Sequence, residues 1–294
     1  MMSSKKEFSK TIRLILPQWQ GGVNPNYFLG SKILSAIVPE SNSAKTLEVP
    51  VSQDFKEDIE VDGGISGRKI LLNQMELTKN ILDVQKPDRV ITLGGDCSIS
   101  EAPIDYLSGK YGKKLGIVWL DAHPDVSTDQ DSNHIHEIVL ANLMHRGSNE
   151  FNQQVKNSLD SNQIMFAGLK YDDLRPMDHL VKDLNMNYVT PEQIRGGSTS
   201  INNWIKKNNF EKIAIHFDLD VLDSNDFRSI LSAQPHIDKS SLGYATGTMQ
   251  LNEVLDVIKS ISKKSEIVGF NIAEHMPWDA INLHNMLSEI DIFK

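Results

Sequence analysis

Short apolar runs recur along the chain, each closed by polar residues and followed by a helical pattern. Residues 12–16, 90–93, 115–120, 164–169, 213–217 and 267–272 are rich in Ile, Val and Leu and scarcely alternate with polar positions. Strands buried on both faces of a parallel sheet read this way, because neither face meets water. Between them lie amphipathic stretches at 69–84, 201–208 and 251–261. Strand and helix in alternation predict an α/β fold, a doubly wound, mostly parallel sheet with helices on its faces. Segment 21–67 is less regular and reads as loops and short elements near the N-terminal edge of the sheet. No repeat, charge block or low-complexity linker divides the 294 residues, so one domain over 1–294 is expected.

In open α/β sheets, ligands sit beyond the carboxyl ends of the strands. Four runs end in chemically capable residues: Gly94-Gly95-Asp96-Cys97-Ser98, Asp121-Ala122-His123-Pro124-Asp125, Asp218-Leu219-Asp220-Val221-Leu222-Asp223, and Glu274-His275-Met276-Pro277. Asp121, His123 and Asp125 alternate, which points their side chains the same way in an extended chain. Asp218 and Asp220 repeat that spacing. Gathered carboxylates repel one another unless a cation neutralises them. Acids with a minority of imidazole suit hard or borderline dications such as Mn2+. The five ligands exceed what one ion needs, and two ions bridged by shared carboxylates would use them all. The plainer alternatives are that Asp121 caps a helix and that Asp223 only starts a turn.

Composition narrows the partners. The net charge of −9 argues against a nucleic-acid partner, which calls for a basic surface. The apolar residues 12–16 stop at Pro17, too short for a signal core or a membrane span, so no membrane partner is expected. Cys97 is the lone cysteine, which excludes an internal disulfide and is compatible with the cytoplasm.

These motifs, in this order from about Val90 to Pro277, resemble the arginase or ureohydrolase family of arginases, agmatinases, guanidino-acid hydrolases and formimidoylglutamases. The resemblance implies a three-layer α/β/α sandwich, commonly in trimers or hexamers. It also implies two Mn2+ ions and hydrolysis of a guanidino or amidine C–N bond, with arginine to ornithine and urea as the leading reaction. By that resemblance Asp121 and Asp218 bridge the ions, Asp125 binds the first, and His123 and Asp220 bind the second. Asp125 also steadies the attacking hydroxide. His136, in Ser132-Asn133-His134-Ile135-His136, matches the proton shuttle, and Glu274 matches the acid that binds the guanidinium group. Asp173 loosely resembles an acid that contacts the substrate amino group. The competing readings are a surface histidine at a helix start for His136, a lysine partner for Glu274 and a turn residue for Asp173.

Cys97 stands where the family pattern has histidine. A thiolate there would shift the first position toward Zn2+ or Fe2+, and a buried thiol would leave that position weak. The flanks of His136 and the segment from Ser224 to Thr248 also depart from the pattern, which places the substrate tail in question. A non-catalytic arginase-fold binding protein with an incomplete metal site is the alternative from another class.

Overall fold

The computed structural model describes residues 10–41, 43–55 and 59–288. Its main sheet has eight strands: β1 Thr11–Leu16, β2 Lys45–Glu48, β3 Arg89–Gly94, β4 Leu115–Leu120, β5 Ile164–Ala167, β6 Asn187–Val189, β7 Lys212–Asp218 and β8 Glu266–Ala273. They lie in the order β2-β1-β3-β8-β7-β4-β5-β6, and every pair is parallel. The doubly wound parallel sheet expected from the apolar runs is what forms.

Alternation along β4 shows why its residues are apolar throughout. Leu115, Ile117 and Trp119 join the core on one face, and Val118 and Leu120 join the core on the other. Helices cover both faces. On the first lie α2 Arg68–Gln85, through Leu71, Met75 and Leu82, and α3 Glu101–Tyr111, through Ala102, Ile104 and Leu107. On the second lie α4 Thr199–Asn208, through Ile201, Trp204 and Ile205, and α5 Leu251–Ser262, through Val254, Val257 and Ile261. The helical spacing of these residues builds each apolar stripe, and burying each large side chain stabilises by about 1.5–3 kcal/mol. The result is the α/β/α sandwich.

Segment 21–67 was expected to hold loops and short elements, and it holds a longer one as well. It contains a helix, α1 Asn26–Ile37, and the edge strand β2. The helix buries Tyr27, Gly30, Ser31 and Leu34, a face with a single aliphatic residue, which carries little periodic signal. Gly30 is required there, since a Cβ would stand 1.7 Å from the His275 carbonyl oxygen. The short strand β6 and helix α3 also went unread.

The order of the strands decides where chemistry gathers. β3, β8, β7 and β4 are neighbours in the middle of the sheet. Their carboxyl ends lead directly into Cys97, Glu274, Asp218 and Asp121. Residues far apart in the chain therefore share one crevice.

Candidate metal centre

The loop after β3 is held by Asp96. Its carboxylate accepts the backbone N–H of Ser98 at 3.0 Å and that of Gly21 at 2.9 Å, capping the turn Cys97–Ser100. Gly95 lets this loop lie against Gln18, whose carbonyl oxygen would be 1.5 Å from any Cβ. Cys97 is buried, and its Sγ–H donates to Asp218 Oδ2 at 2.8 Å, with Glu274 Oε1 at 3.5 Å.

Asp121 is gripped on both oxygens. The Trp119 indole N–H donates to Oδ2 at 3.0 Å and the His123 backbone N–H to Oδ1 at 2.6 Å. His123 Nε2 lies 2.9 Å from the Ala245 carbonyl oxygen, an acceptor that fixes the proton on Nε2. The other nitrogen, Nδ1, then faces Asp220 Oδ2 at 3.0 Å and Asp121 Oδ1 at 3.5 Å. A lone pair aimed at two carboxylates demands a proton or a cation. Asp218 Oδ1 accepts the Asp220 N–H at 2.6 Å, fixing the second acid pair. Asp223 instead accepts from Asn225 and caps the next turn.

Two acids of the site hold left-handed backbone, Asp125 at φ 48° and Glu274 at φ 63°. Such non-glycine conformations cost energy and persist only where the surroundings enforce them. Glu274 is enforced by its N–H bond to the Gly95 carbonyl at 2.7 Å and by the Tyr27 hydroxyl, which donates to Oε2 at 2.7 Å.

The electrostatics state the same demand. Burial first, then neighbouring carboxylates, push Asp121 up to about 6 and Glu274 to about 7, and raise Asp125 and Asp218 well above the carboxylate range. Burial, with Asp218 and Glu274, raises the Cys97 thiol. Burial would also raise Asp220, but the His123 charge outweighs it and the carboxyl falls below its usual value. Asp125 and Asp218 thus hold their protons far more tightly than free carboxylates do, as buried acids with too little positive charge nearby must. Asp125 Oδ2, Asp220 Oδ1 and His216 Nε2 are buried with no hydrogen-bond partner. These orphaned atoms and the chemistry of the donor set fit divalent cations. Possible ligand atoms of Cys97, Asp121, Asp125 and His216 lie within 4.8 Å of one another, as do those of Cys97, Asp218 and Glu274, and those of Asp121, His123 and Asp220.

A cavity of about 280 Å³ opens on this cluster. It is lined by the sequence candidates Cys97, His123, Asp125, Asp218, Asp220, Glu274 and His136, with Asp121 behind them in the same cluster of ligand atoms. His136 lies in the turn Ile135–Ile138, with Nδ1 at 2.8 Å from the Gly21 carbonyl oxygen. Burial lowers its pKa, but Glu274, Glu137 and Asp96 outweigh that and raise it overall. Asp173 is not among the lining residues; its side chain is 57% exposed and faces Lys170 at 3.7 Å.

Several residues here went unread. Tyr27 and Tyr244 line the cavity from elements with no motif, and the Tyr244 and Ser232 hydroxyls are buried without partners. His216 carried a usable signal. It is a polar residue inside an apolar run, two positions before Asp218 and hence on the same strand face.

A family model described as "Arginase family" matches residues 45–282. The arginase of Entamoeba histolytica (strain ATCC 30459 / HM-1:IMSS / ABRM) is 23% identical over 285 residues, 92% of each chain. The crystal structure of Entamoeba histolytica arginase in complex with L-ornithine matches with a TM-score of 0.73 at 19% identity, covering 92% of both chains. The crystal structure of formimidoylglutamase from Bacillus subtilis subsp. subtilis str. 168 matches at 0.64 and 17%, covering 94% of this chain and 82% of that one. The structural matches establish the fold, and the family match spans most of the chain. With the acids and imidazole of its four central strand ends gathered in one crevice, this chain belongs to the arginase family of metal-dependent hydrolases.

Proposed function

We propose that the chain hydrolyses the C–N bond of a small guanidino or amidine compound, with arginine the leading substrate. The observation that carries this reading is Glu274, a buried carboxylate fixed by Tyr27 on the wall of the cavity that holds the aspartate cluster. Its place suits a cationic group next to metal-binding acids.

Asp121, His123, Asp125, Asp218 and Asp220, with Cys97, would hold two divalent ions. Mn2+ is the first candidate, and the Cys97 sulfur favours Zn2+ or Fe2+ at its own position. Bound ions supply Lewis acidity and bring the pKa of water toward neutrality. Glu274 accepts charge-assisted hydrogen bonds from the substrate cation through Oε1, while the Tyr27 hydroxyl keeps Oε2 in place. The unpartnered Asp125 Oδ2 takes a hydrogen bond from the attacking water and holds it in line. His136 donates from Nδ1 to the Gly21 carbonyl, and its raised pKa favours a second proton, taken from solvent, on Nε2, which it passes to the leaving amine. Ser232 and Tyr244 offer unpaired hydroxyls to a polar substrate tail, a role for which Asp173 stands outside the cavity.

The test is release of urea or ammonia from arginine, agmatine, a guanidino acid and formimidoylglutamate after loading with Mn2+, Zn2+ or Fe2+. Turnover of one compound supports the reading and selects the substrate; no turnover with any metal sinks it. One observation favours a second reading, a ligand-binding relative with one weak metal position: the Cys97 thiol already satisfies Asp218 by hydrogen bonding. The first reading also carries a trimeric or hexameric assembly and a cytoplasmic setting. No described helix is long and apolar enough to cross a membrane, and sedimentation and cell fractionation address both expectations.

A further inference from the structure

His216 lies in the interior of β7, fully buried, in a row where polar residues have little reason to be. Its backbone neighbours across the sheet are Trp119 on one side and Asn271 on the other. The imidazole stacks on the Trp119 indole, with centroids 3.6 Å apart and planes 14° from parallel. The same indole donates its N–H to Asp121 Oδ2, so one rigid ring system sets both His216 and Asp121. His216 Nδ1 sits 2.7 Å from Ser100 Oγ.

Nε2 is the unexplained atom. It is buried with no hydrogen-bond partner, and Asp121 Oδ2 is 3.9 Å away, too far to accept from it. If Nδ1 carries the proton and donates to Ser100, a bare lone pair is buried at Nε2. If Nε2 carries the proton, a buried donor goes unmet. Either tautomer leaves a polar atom unsatisfied, and a cation at Nε2 removes the conflict for the first. That arrangement, with one ring nitrogen hydrogen-bonded and the other facing the ion, is the way protein imidazoles are oriented toward metals. Ligand atoms of Cys97, Asp121 and Asp125 all lie within 4.8 Å of a ring nitrogen of His216 and of one another, a spread one coordination sphere can close.

We infer that His216 is a metal ligand, and that with Cys97, Asp121 and Asp125 it forms a buried sulfur–nitrogen–oxygen position distinct from the oxygen-and-imidazole position of Asp121, His123 and Asp220. This rests on the reading of the cavity as a metal centre. Thiolate and imidazole select softer ions, so the buried position takes Co2+ or Zn2+ ahead of Mn2+, while the His123 position accepts Mn2+. Binding displaces the Cys97 proton to solvent, because sulfur ligates as thiolate.

Co2+ serves as the probe, read by optical absorption and by the hyperfine-shifted exchangeable ring N–H protons of bound histidines in NMR. Wild-type protein loaded with Co2+ is expected to show a thiolate-to-cobalt charge-transfer band and two shifted histidine N–H signals, one from His123 and one from His216. His216→Gln is expected to lose one signal and to weaken binding of the thiolate-associated ion by at least about tenfold, leaving the second ion in place. One shifted N–H signal in the wild type, or unchanged affinity and spectrum in a folded His216→Gln, overturns the inference. The wild-type count decides the matter even if the variant fails to fold. If the wild type binds no Co2+ at all, the metal-centre reading itself fails; binding with a single histidine signal removes only His216.

Discussion

The two sides of Asp121 differ in depth. On one side stand Cys97 and His216, exposed by 2% and 0%; on the other stand His123 and Asp220, whose side chains are exposed by 16% and 12%. The deep side is shaped by strand interiors and ring stacking, the shallow side by loops that reach back to Ala245. The deep side can fix an ion's geometry but offers little room for a substrate. Cys97 reaches the cavity wall but His216 does not, whereas His123 and Asp220 both line the cavity beside Glu274 and His136. On the proposed reading that difference divides the labour, with His216 supporting an ion below and Glu274 and His136 meeting the substrate above.

Asp121 is common to both sides and gives the largest expected effect. Asp121→Ala is expected to lose both ions by elemental analysis and to lower turnover by at least about three orders of magnitude. Surviving turnover would remove Asp121 from the centre and dissolve the comparison.

Glu274→Gln isolates the shallow side. On the proposed reading the charge that meets the substrate cation disappears while the aspartates remain, so kcat/KM is expected to fall about 10- to 100-fold with metal content retained. Loss of metal in parallel would make Glu274 a ligand, as its nearness to Cys97 and Asp218 also allows.

Glu137 tests whether the wall of the cavity is built independently of the centre. Its carboxylate pairs with Arg175 at 2.6 Å. Although burial raises it, the His136 charge, Ser132 and Arg175 hold its pKa down at about 2 against 4.5 in the unfolded chain. A depressed native pKa stabilises the fold fully above the unfolded value, and this is lost as pH falls through the native one. Glu137→Gln is therefore expected to cost up to about 3 kcal/mol near neutral pH, with the gap from wild type closing between about pH 4.5 and 2 in urea unfolding. A gap that does not change with pH would mean the side chain acts by packing rather than charge.

Cys97→His gives the smallest effect and sharpens the deep side. Replacing the softer sulfur with imidazole is expected to raise Mn2+ affinity there by about tenfold, read by titration of metal-free protein. Unchanged affinity with disturbed folding would mark Cys97 as packing.

The fold was readable because burial on both faces writes itself as unbroken apolar runs, as in β4 and β7. Asp121, His123, Asp125, Asp218 and Asp220 were readable as a group because alternate spacing at a strand end is local, and the structure gathers them. Helix α1 was not readable, because its buried face is Tyr27, Gly30, Ser31 and Leu34, with one aliphatic residue instead of a stripe. Tyr27 reaches Glu274 across 247 positions, a contact no periodicity contains. His216 lay in plain view inside an apolar strand, but its meaning depends on Trp119 and Ser100, which belong to other elements.

The sequence by itself determined six of the eight strands, their order along the chain and the acids at their ends, since these follow from unbroken apolar runs and spacing over a few residues. Only the tertiary structure decided that β3, β8, β7 and β4 lie side by side, so that Cys97, Glu274, Asp218 and Asp121 share one buried crevice. It alone also set His216 Nε2 within that crevice without a partner. Strand order in a parallel sheet is fixed by how the crossover helices pack on each face, a long-range sum of burial that no local stretch of sequence encodes.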